Sequence, residues 1–491
     1  LKTPESIQVD HLFRETGPPV FGLSVNEIPI LLFEYEYRFT EYEYEYEYEK
    51  NLWYESPATM IFSCLPSFAF ACLTSLRDTT SNRLFHPQQQ IPMNSKSWQA
   101  HRWLETQADQ MAKDLIELCN INSGSDNPQG LCRAADWLEE FFEPLSVPCQ
   151  RIDLPSYQLL DDAAKESSYQ TGPALRWDLG NPHSQGILWT IHYDTVYGKD
   201  DPFQSCEFLP NNNLRGPGVI DAKGGIIIMR YAALALRQFH DLSDSRLTLI
   251  LTPDEEIGSP ASVGMWQSIA KDFQSAFLFE PTMADGSLVQ ARKGTGTFIF
   301  VVRGKSAHAG RNFHEGRNAI AHCCELASQI HQLNGQKPTV TINIGRLRGG
   351  NAVNVVPDTA VMRVNVRIAN SQDQLWIEEQ LKDLVSAFDQ PQSGYRVELS
   401  GGIHAPAKIC DQPTQRLKEK IELAALELGQ SIHWKESGGA SDGNKLQSMG
   451  LPNIDTLGPR GDALHSDQEW IELDSLVEKA QLTCATFSQG Y

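Results

Sequence analysis

Five segments of this chain each follow an apolar run with a residue able to hold a cation. The first run, residues 186–191 (GILWTI), leads into His192-Tyr193-Asp194. An imidazole nitrogen binds a borderline metal, and an Asp two residues on can fix the ring and raise its basicity. Such a pair also arises by chance in loops. The second segment, residues 215–225 (RGPGVIDAKGG), offers Asp221 just before an apolar helical stretch. One carboxylate there can bridge two cations through its two oxygens, whereas as a plain helix N-cap it would need none. The Gly-Gly pair is not a phosphate loop, because no Gly-Lys-Ser/Thr ending follows.

The third run, residues 247–251 (LTLIL), leads into Thr252-Pro253-Asp254-Glu255-Glu256-Ile257-Gly258. Three consecutive carboxylates repel one another, and the cluster costs stability unless cations neutralise it. Two adjacent Glu can divide the work, one binding metal and the other acting as general base on a water. Spacing leaves open which does which. A solvated acidic turn is the alternative, against which the apolar flanks argue. Residues 276–279 (AFLF) end in Glu280, and a late loop at 458–466 carries His465. A mixed set of His and carboxylate ligands suits zinc, and also cobalt or manganese.

Such residues need rigid supports. From Ser97 onward, short apolar runs alternate with helical stretches, which predicts an α/β fold. Helical spacing covers residues 98–121 and 131–145. In open α/β sheets the loops at the carboxyl ends of strands collect functional groups, which is where the five segments fall. Residues 297–302 (TFIFVV) read as a strand, 319–333 as a helix, and 339–345 and 360–368 as strands, a second sheet-plus-helix layer.

The chain has 491 residues, more than one compact core holds. At 41% hydrophobic and 21% charged it is globular in composition, and its net charge of -21 argues against a nucleic-acid binder, which would need a basic stripe. Ten cysteines without a CxxC pair point to a reduced, cytoplasmic protein. No apolar run is long and clean enough to span a bilayer, so no membrane association is expected. Residues 1–95 differ in texture. Glu34 to Glu49 is nearly a Glu-Tyr alternation, a low-complexity segment without a core. It is expected to be a leader outside the functional protein, which would start near Met93. Residues 60–75 resemble the apolar core of an export signal, with Ala69-Phe70-Ala71 before Cys72 as its cleavage site, but no basic cluster precedes them.

The motifs HYDTV, GPGVIDAKGG, TPDEEIGS, FEPT, GKSAHAG, GGNAVNVVPD, SGGASDGN and LHS occur in that order over about residues 97–491. Together they resemble the M20 family of metallohydrolases, which includes glutamate carboxypeptidases, acetylornithine deacetylase and succinyl-diaminopimelate desuccinylase. The resemblance implies that His192 and Glu280 bind one zinc, Glu256 and His465 another, and that Asp221 bridges them. It makes Asp194 the partner of His192 and Glu255 the general base. It also implies a mixed, mostly parallel catalytic sheet flanked by helices, with an inserted α+β lid through which the chain forms a homodimer. The expected division is a catalytic domain in two parts, 96–291 and 401–491, around a lid at 292–400. His308 would stabilise the oxyanion, Asn354 and Arg367 would contact substrate, and Gly439 would line the pocket. As ordinary residues, His308 would be a strand-end histidine and Arg367 an ion-pair partner. The expected activity is hydrolysis of an amide in a small substrate, carboxypeptidase-like because SGGASDGN and FEPT look closer to that branch. An N-acyl amino acid deacylase would use the same metals. A binding protein on this fold would be expected to have lost ligands or the base, and this chain keeps them all.

Overall fold

The computed structural model describes residues 95–489. The expectations for the leading segment, the Glu-Tyr run and the export-like stretch included, lie outside these residues.

The central sheet has six strands in the order Gln150–Ile152, Ala174–Gly180, Arg246–Thr252, Gly186–His192, Phe273–Leu278 and Asn453–Ile454. The first three are antiparallel neighbours, and the pairings from Arg246–Thr252 onward are parallel. Every residue of Gly186–His192 is buried, as expected of a central strand covered on both faces. Parallel neighbours need crossovers, and the helix Gly224–Phe239 is one. Its sequence is apolar nearly all round, so it lies inside the domain, packed against the helix Asp474–Ser488. Gly225 makes the close approach possible, since a Cβ there would lie 2.1 Å from the carbonyl oxygen of Phe279. The helix Pro128–Phe142 starts on Asn127, whose Oδ1 accepts the N–H of Gly130 at 3.0 Å. The helical stretch expected over 98–121 is two helices, Lys96–Glu105 and Ala108–Cys119.

A small antiparallel sheet orders Gly461–Asp462, Trp470–Glu472, Asn213–Arg215 and Glu207–Leu209. It brings the loop carrying His465 beside the segment leading to Asp221. A further four-stranded antiparallel sheet orders Thr341–Gly349, Thr359–Ile368, Gly294–Arg303 and Arg396–Ala405. Along Thr359–Ile368, Met362, Val364, Val366 and Ile368 are buried while Arg363, Asn365 and Arg367 are half-buried. The buried face packs on the helices Ala319–His331 and Ser371–Phe388 in a core of its own. Among the described residues no cysteine is disulfide-bonded, and no helix is long and apolar enough to cross a membrane.

Candidate metal centre

Three adjacent parallel strands end side by side and deliver His192, the Glu255-Glu256 pair and Glu280 to one edge of the central sheet. Asp221 lies in an irregular turn, Val219–Lys223, before the central helix, and its peptide bond to Ala222 is cis. Its side chain is not an N-cap. Asp221 Oδ1 lies 3.1 Å from His192 Nε2, and Oδ2 lies 3.3 Å from His465 Nε2. His465 Nε2 is also 3.3 Å from Glu256 Oε2, and His192 Nε2 is 3.7 Å from Glu280 Oε2. Asp221 thus stands between two imidazoles, each with its own glutamate.

Asp194 is fully buried and does two jobs at once. Its Oδ1 lies 3.3 Å from His192 Nδ1, although that nitrogen is nearer the Asp194 carbonyl oxygen, at 3.1 Å. The same carboxylate accepts the backbone N–H groups of Glu255 and Glu256 at 3.1 and 3.2 Å, and the Ser125 hydroxyl at 2.7 Å. The orienting partner of the imidazole therefore also anchors the acidic turn.

That turn is one 3-10 turn, Glu255–Ile257, followed by Gly258 at φ 89° and Ser259 at φ 56°. The expected cluster of three carboxylates is in fact split. Asp254 turns away and accepts the N–H groups of Ala261 and Ser262 at 2.7 and 3.1 Å, which only partly offset the burial that raises its carboxyl to about 6. Glu255 and Glu256 alone face the site. Behind the turn, Lys445 donates to Ser259 Oγ at 2.8 Å and to Asp442 Oδ1 at 2.7 Å, all three buried.

The donor set fits divalent cations. A tetrahedral ion with bonds near 2.05 Å sets its ligand atoms about 3.3 Å apart, and the four separations above run from 3.1 to 3.7 Å. Oε1 of Glu256 is buried without a hydrogen-bond partner, an orphan that a cation would satisfy. The electrostatics agree. Burial pushes the Glu256 carboxyl up to about 6 and also raises Glu280, which His192 only partly offsets. Burial, then the Glu280 carboxylate, raises Glu255 well above its ordinary range. Burial disfavours charge on His465, yet Glu256 and Asp221 lift it to about 12. Protons are held where positive charge is needed, and a metal ion would supply that charge instead.

The other predicted residues fall elsewhere. His308 and Asn354 come together at an exposed two-stranded ribbon that is separate from the four-stranded sheet. The strand Ala307–His308 pairs with Val355–Val356, and the Asn354 carbonyl accepts the N–H of Ala309 at 2.9 Å. The hydrogen bonds of His308 are local, its Nδ1 accepting the N–H of Gly310 at 3.0 Å. Arg367 reaches the glycine-rich loop at the residue before Gly439. Arg367 donates to the Gly438 carbonyl at 3.3 Å, and Arg292 donates to that of Gly439 at 3.2 Å.

One residue escaped sequence reasoning altogether. Glu469 is fully buried and cradles the loop that presents Asp221. Its Oε1 accepts the N–H groups of Ile220 and Asp221 at 2.9 and 3.1 Å, and its Oε2 those of Gly218 at 3.0 Å and the Tyr197 hydroxyl at 2.6 Å. The only sequence signal is an acid four residues after His465, beside a short apolar strand.

Known proteins are similar to this chain in sequence and in fold. Residues 188–489 match the sequence model of Peptidase family M20/M25/M40. Carboxypeptidase G2 of Pseudomonas sp. (strain RS-16) is 24% identical over 370 residues, covering 75% of this chain and 86% of that protein. The fold matches an M20 family metallo-carboxypeptidase from Sulfolobus solfataricus with a TM-score of 0.60 at 16% identity, over 77% of this chain and 98% of that one. It also matches a Bacillus subtilis protein described as a dinuclear metal binding peptidase, with a TM-score of 0.54 at 16% identity, over 78% and 99%. The chain therefore belongs to Peptidase family M20/M25/M40 and is a metal-dependent hydrolase.

Proposed function

We propose that this protein is a two-metal, carboxypeptidase-like hydrolase that cleaves the amide bond ahead of a carboxylate-bearing residue in a small peptide or N-acyl amino acid. The observation that carries the reading is Asp221, held between His192 and His465 at 3.1 and 3.3 Å with one oxygen for each. His192 and Glu280 would hold one divalent cation and Glu256 and His465 the other, with Asp221 shared. Zinc fits this donor set, as do cobalt and manganese. When bound, such a pair lowers the pKa of water and polarises the scissile carbonyl.

The chain's own groups do the rest. Asp194 fixes the His192 ring and holds Glu255 at the end of its turn. Glu255 takes a proton from water and returns it to the leaving amine. Arg367, beside the glycine-rich loop, receives the substrate carboxylate through its planar fork. His308 supplies a hydrogen bond to the developing oxyanion, with Asn354 beside it. Both lie at an exposed two-stranded ribbon in the connections between strands of the four-stranded sheet, so this part of the chain acts as a lid that must close or meet the site of a second copy in a homodimer. Ten cysteines without a CxxC pair support a cytoplasmic enzyme.

A panel of dipeptides and N-acyl amino acids, incubated with zinc, cobalt or manganese beside an EDTA-stripped control, tests this. Release of a C-terminal amino acid is expected. A preference for simple N-acetyl amino acids would favour the deacylase branch, and metal-independent turnover would overturn the proposal.

A further inference from the structure

A hairpin that follows the strand Gln150–Ile152 reaches across to the four-stranded sheet. Its strands, Tyr157–Leu160 and Glu166–Tyr169, pair antiparallel. Two neighbouring aspartates at its tip do different things. Asp161 closes the turn, accepting the N–H groups of Ala163 and Lys165 at 2.9 and 2.8 Å. Asp162 points outward and pairs with Arg346, while its other oxygen lies 3.6 Å from Arg363 Nε. Arg363 also donates to the Leu160 carbonyl.

Arg346 and Arg363 stand directly opposite each other on adjacent strands. Two guanidinium groups so placed repel unless an anion lies between them. Arg367 follows on the same strand and the same face, four residues along, about 13 Å away by strand rise. One face of the second sheet therefore carries a cation at the glycine-rich loop and a pair of cations further out. The pair is already filled by a carboxylate of the chain itself.

That carboxylate is weakly secured. Lone two-stranded hairpins are marginal, and Gln158, Leu159, Ser168 and Tyr169 are exposed. The Asp162–Arg346 side chains are 31% and 35% exposed, a setting in which ion pairs exchange readily. The base of the hairpin is beside the acidic turn, where the Thr171 hydroxyl donates to the Pro253 carbonyl at 3.3 Å. The hairpin thus flanks the path from the acidic turn to the arginine pair.

We propose that Arg346 and Arg363 form a second carboxylate-binding subsite, capped in the free protein by Asp162 and taken over by a distal carboxylate of an acidic substrate. This rests on the reading of Arg367 as the receptor of the substrate's terminal carboxylate. The spacing calls for two carboxylates separated by roughly three to four extended residues. An acidic tetrapeptide fits, as does an N-acyl amino acid with an acidic acyl chain of that length.

The test compares N-acetyl-Glu-Ala-Ala-Glu with N-acetyl-Gln-Ala-Ala-Glu at low ionic strength. The wild type is expected to favour the first in kcat/KM by about tenfold, less so in high salt. The variants Arg346→Gln and Arg363→Gln should bring the acidic-to-neutral ratio towards one, and Asp162→Ala should raise it severalfold by removing the internal competitor. A hairpin serving only as a structural strap would change both substrates alike, and an unchanged ratio in Asp162→Ala overturns the subsite. Equilibrium binding of the same peptides to the Glu255→Gln protein separates the two readings. If neither peptide is cleaved by any form, the hydrolase proposal falls for such substrates, while the binding ratio still decides the subsite.

Discussion

Glu469 accepts the backbone N–H of Asp221 at 3.1 Å, four residues after the imidazole that faces the same aspartate. A single buried carboxylate thus sets the position of Asp221 and ties the loop of His465 to it, with Tyr197 bridging Glu469 Oε2 and the Ser466 carbonyl. The variant Glu469→Gln keeps the shape but aims an amide N–H₂ at backbone donors. Metal affinity is expected to fall about 10- to 100-fold, as for other lost supports of metal ligands. Competition with a chromophoric chelator measures it, and unaltered affinity would refute the positioning role.

Glu255 faces the cluster without touching either imidazole in the way Glu256 does. Glu255→Gln should lower kcat by about 10²- to 10⁴-fold, the range general-base catalysis supplies. Its metal content, read by elemental analysis, should stay at the wild-type level. Loss of metal together with activity would show that Glu255 is a ligand.

Asp221 offers one oxygen to each imidazole, so its loss should disturb both halves of the centre. Wild type is expected to bind two equivalents of zinc and Asp221→Ala fewer than one under the same conditions. Chelation should abolish turnover, and restored zinc should return it. Two tightly held equivalents in the variant would exclude a shared ligand.

Lys479 is a buried amine, 2% exposed, with the Glu478 carboxylate 3.8 Å away. Burial lowers its ammonium to about 8, which Glu478 offsets only in part. Between pH 8 and 10.5 the unfolded chain holds a proton that the folded protein has released, so stability rises with pH across that window. Below it the charged amine costs the fold about 3 kcal/mol at most. Lys479→Met should raise the Tm at pH 7, with the gain shrinking towards pH 10. Chemical denaturation at the two pH values checks it, and an equal gain at both would contradict the assignment.

The meeting of His192, Glu256 and Glu280 was legible in the sequence because each follows a continuous apolar run, and such runs become neighbouring parallel strands. Asp221 and His465 were legible as candidates, but their approach depends on pairing Asn213–Arg215 with Trp470–Glu472. No local pattern announces a contact across some two hundred and fifty residues, and for the same reason Glu469 went unread. Asp254 looked like part of the acidic cluster, since nothing in its spacing reveals that Ala261 and Ser262 will bend back to it. The hairpin at Tyr157–Tyr169 was missed because strands exposed on both sides lack the alternation that marks a half-buried one.

The interleaving of the two sheets along the chain also orders their assembly during synthesis. The second sheet and its helices are complete once residue 405 has emerged, with a core that needs nothing later. The central sheet still lacks its edge strand Asn453–Ile454, the His465 loop and the buried helix Asp474–Ser488. A growing polypeptide therefore lacks a finished hydrolytic centre until residues 453–488 have emerged and folded back onto the central sheet.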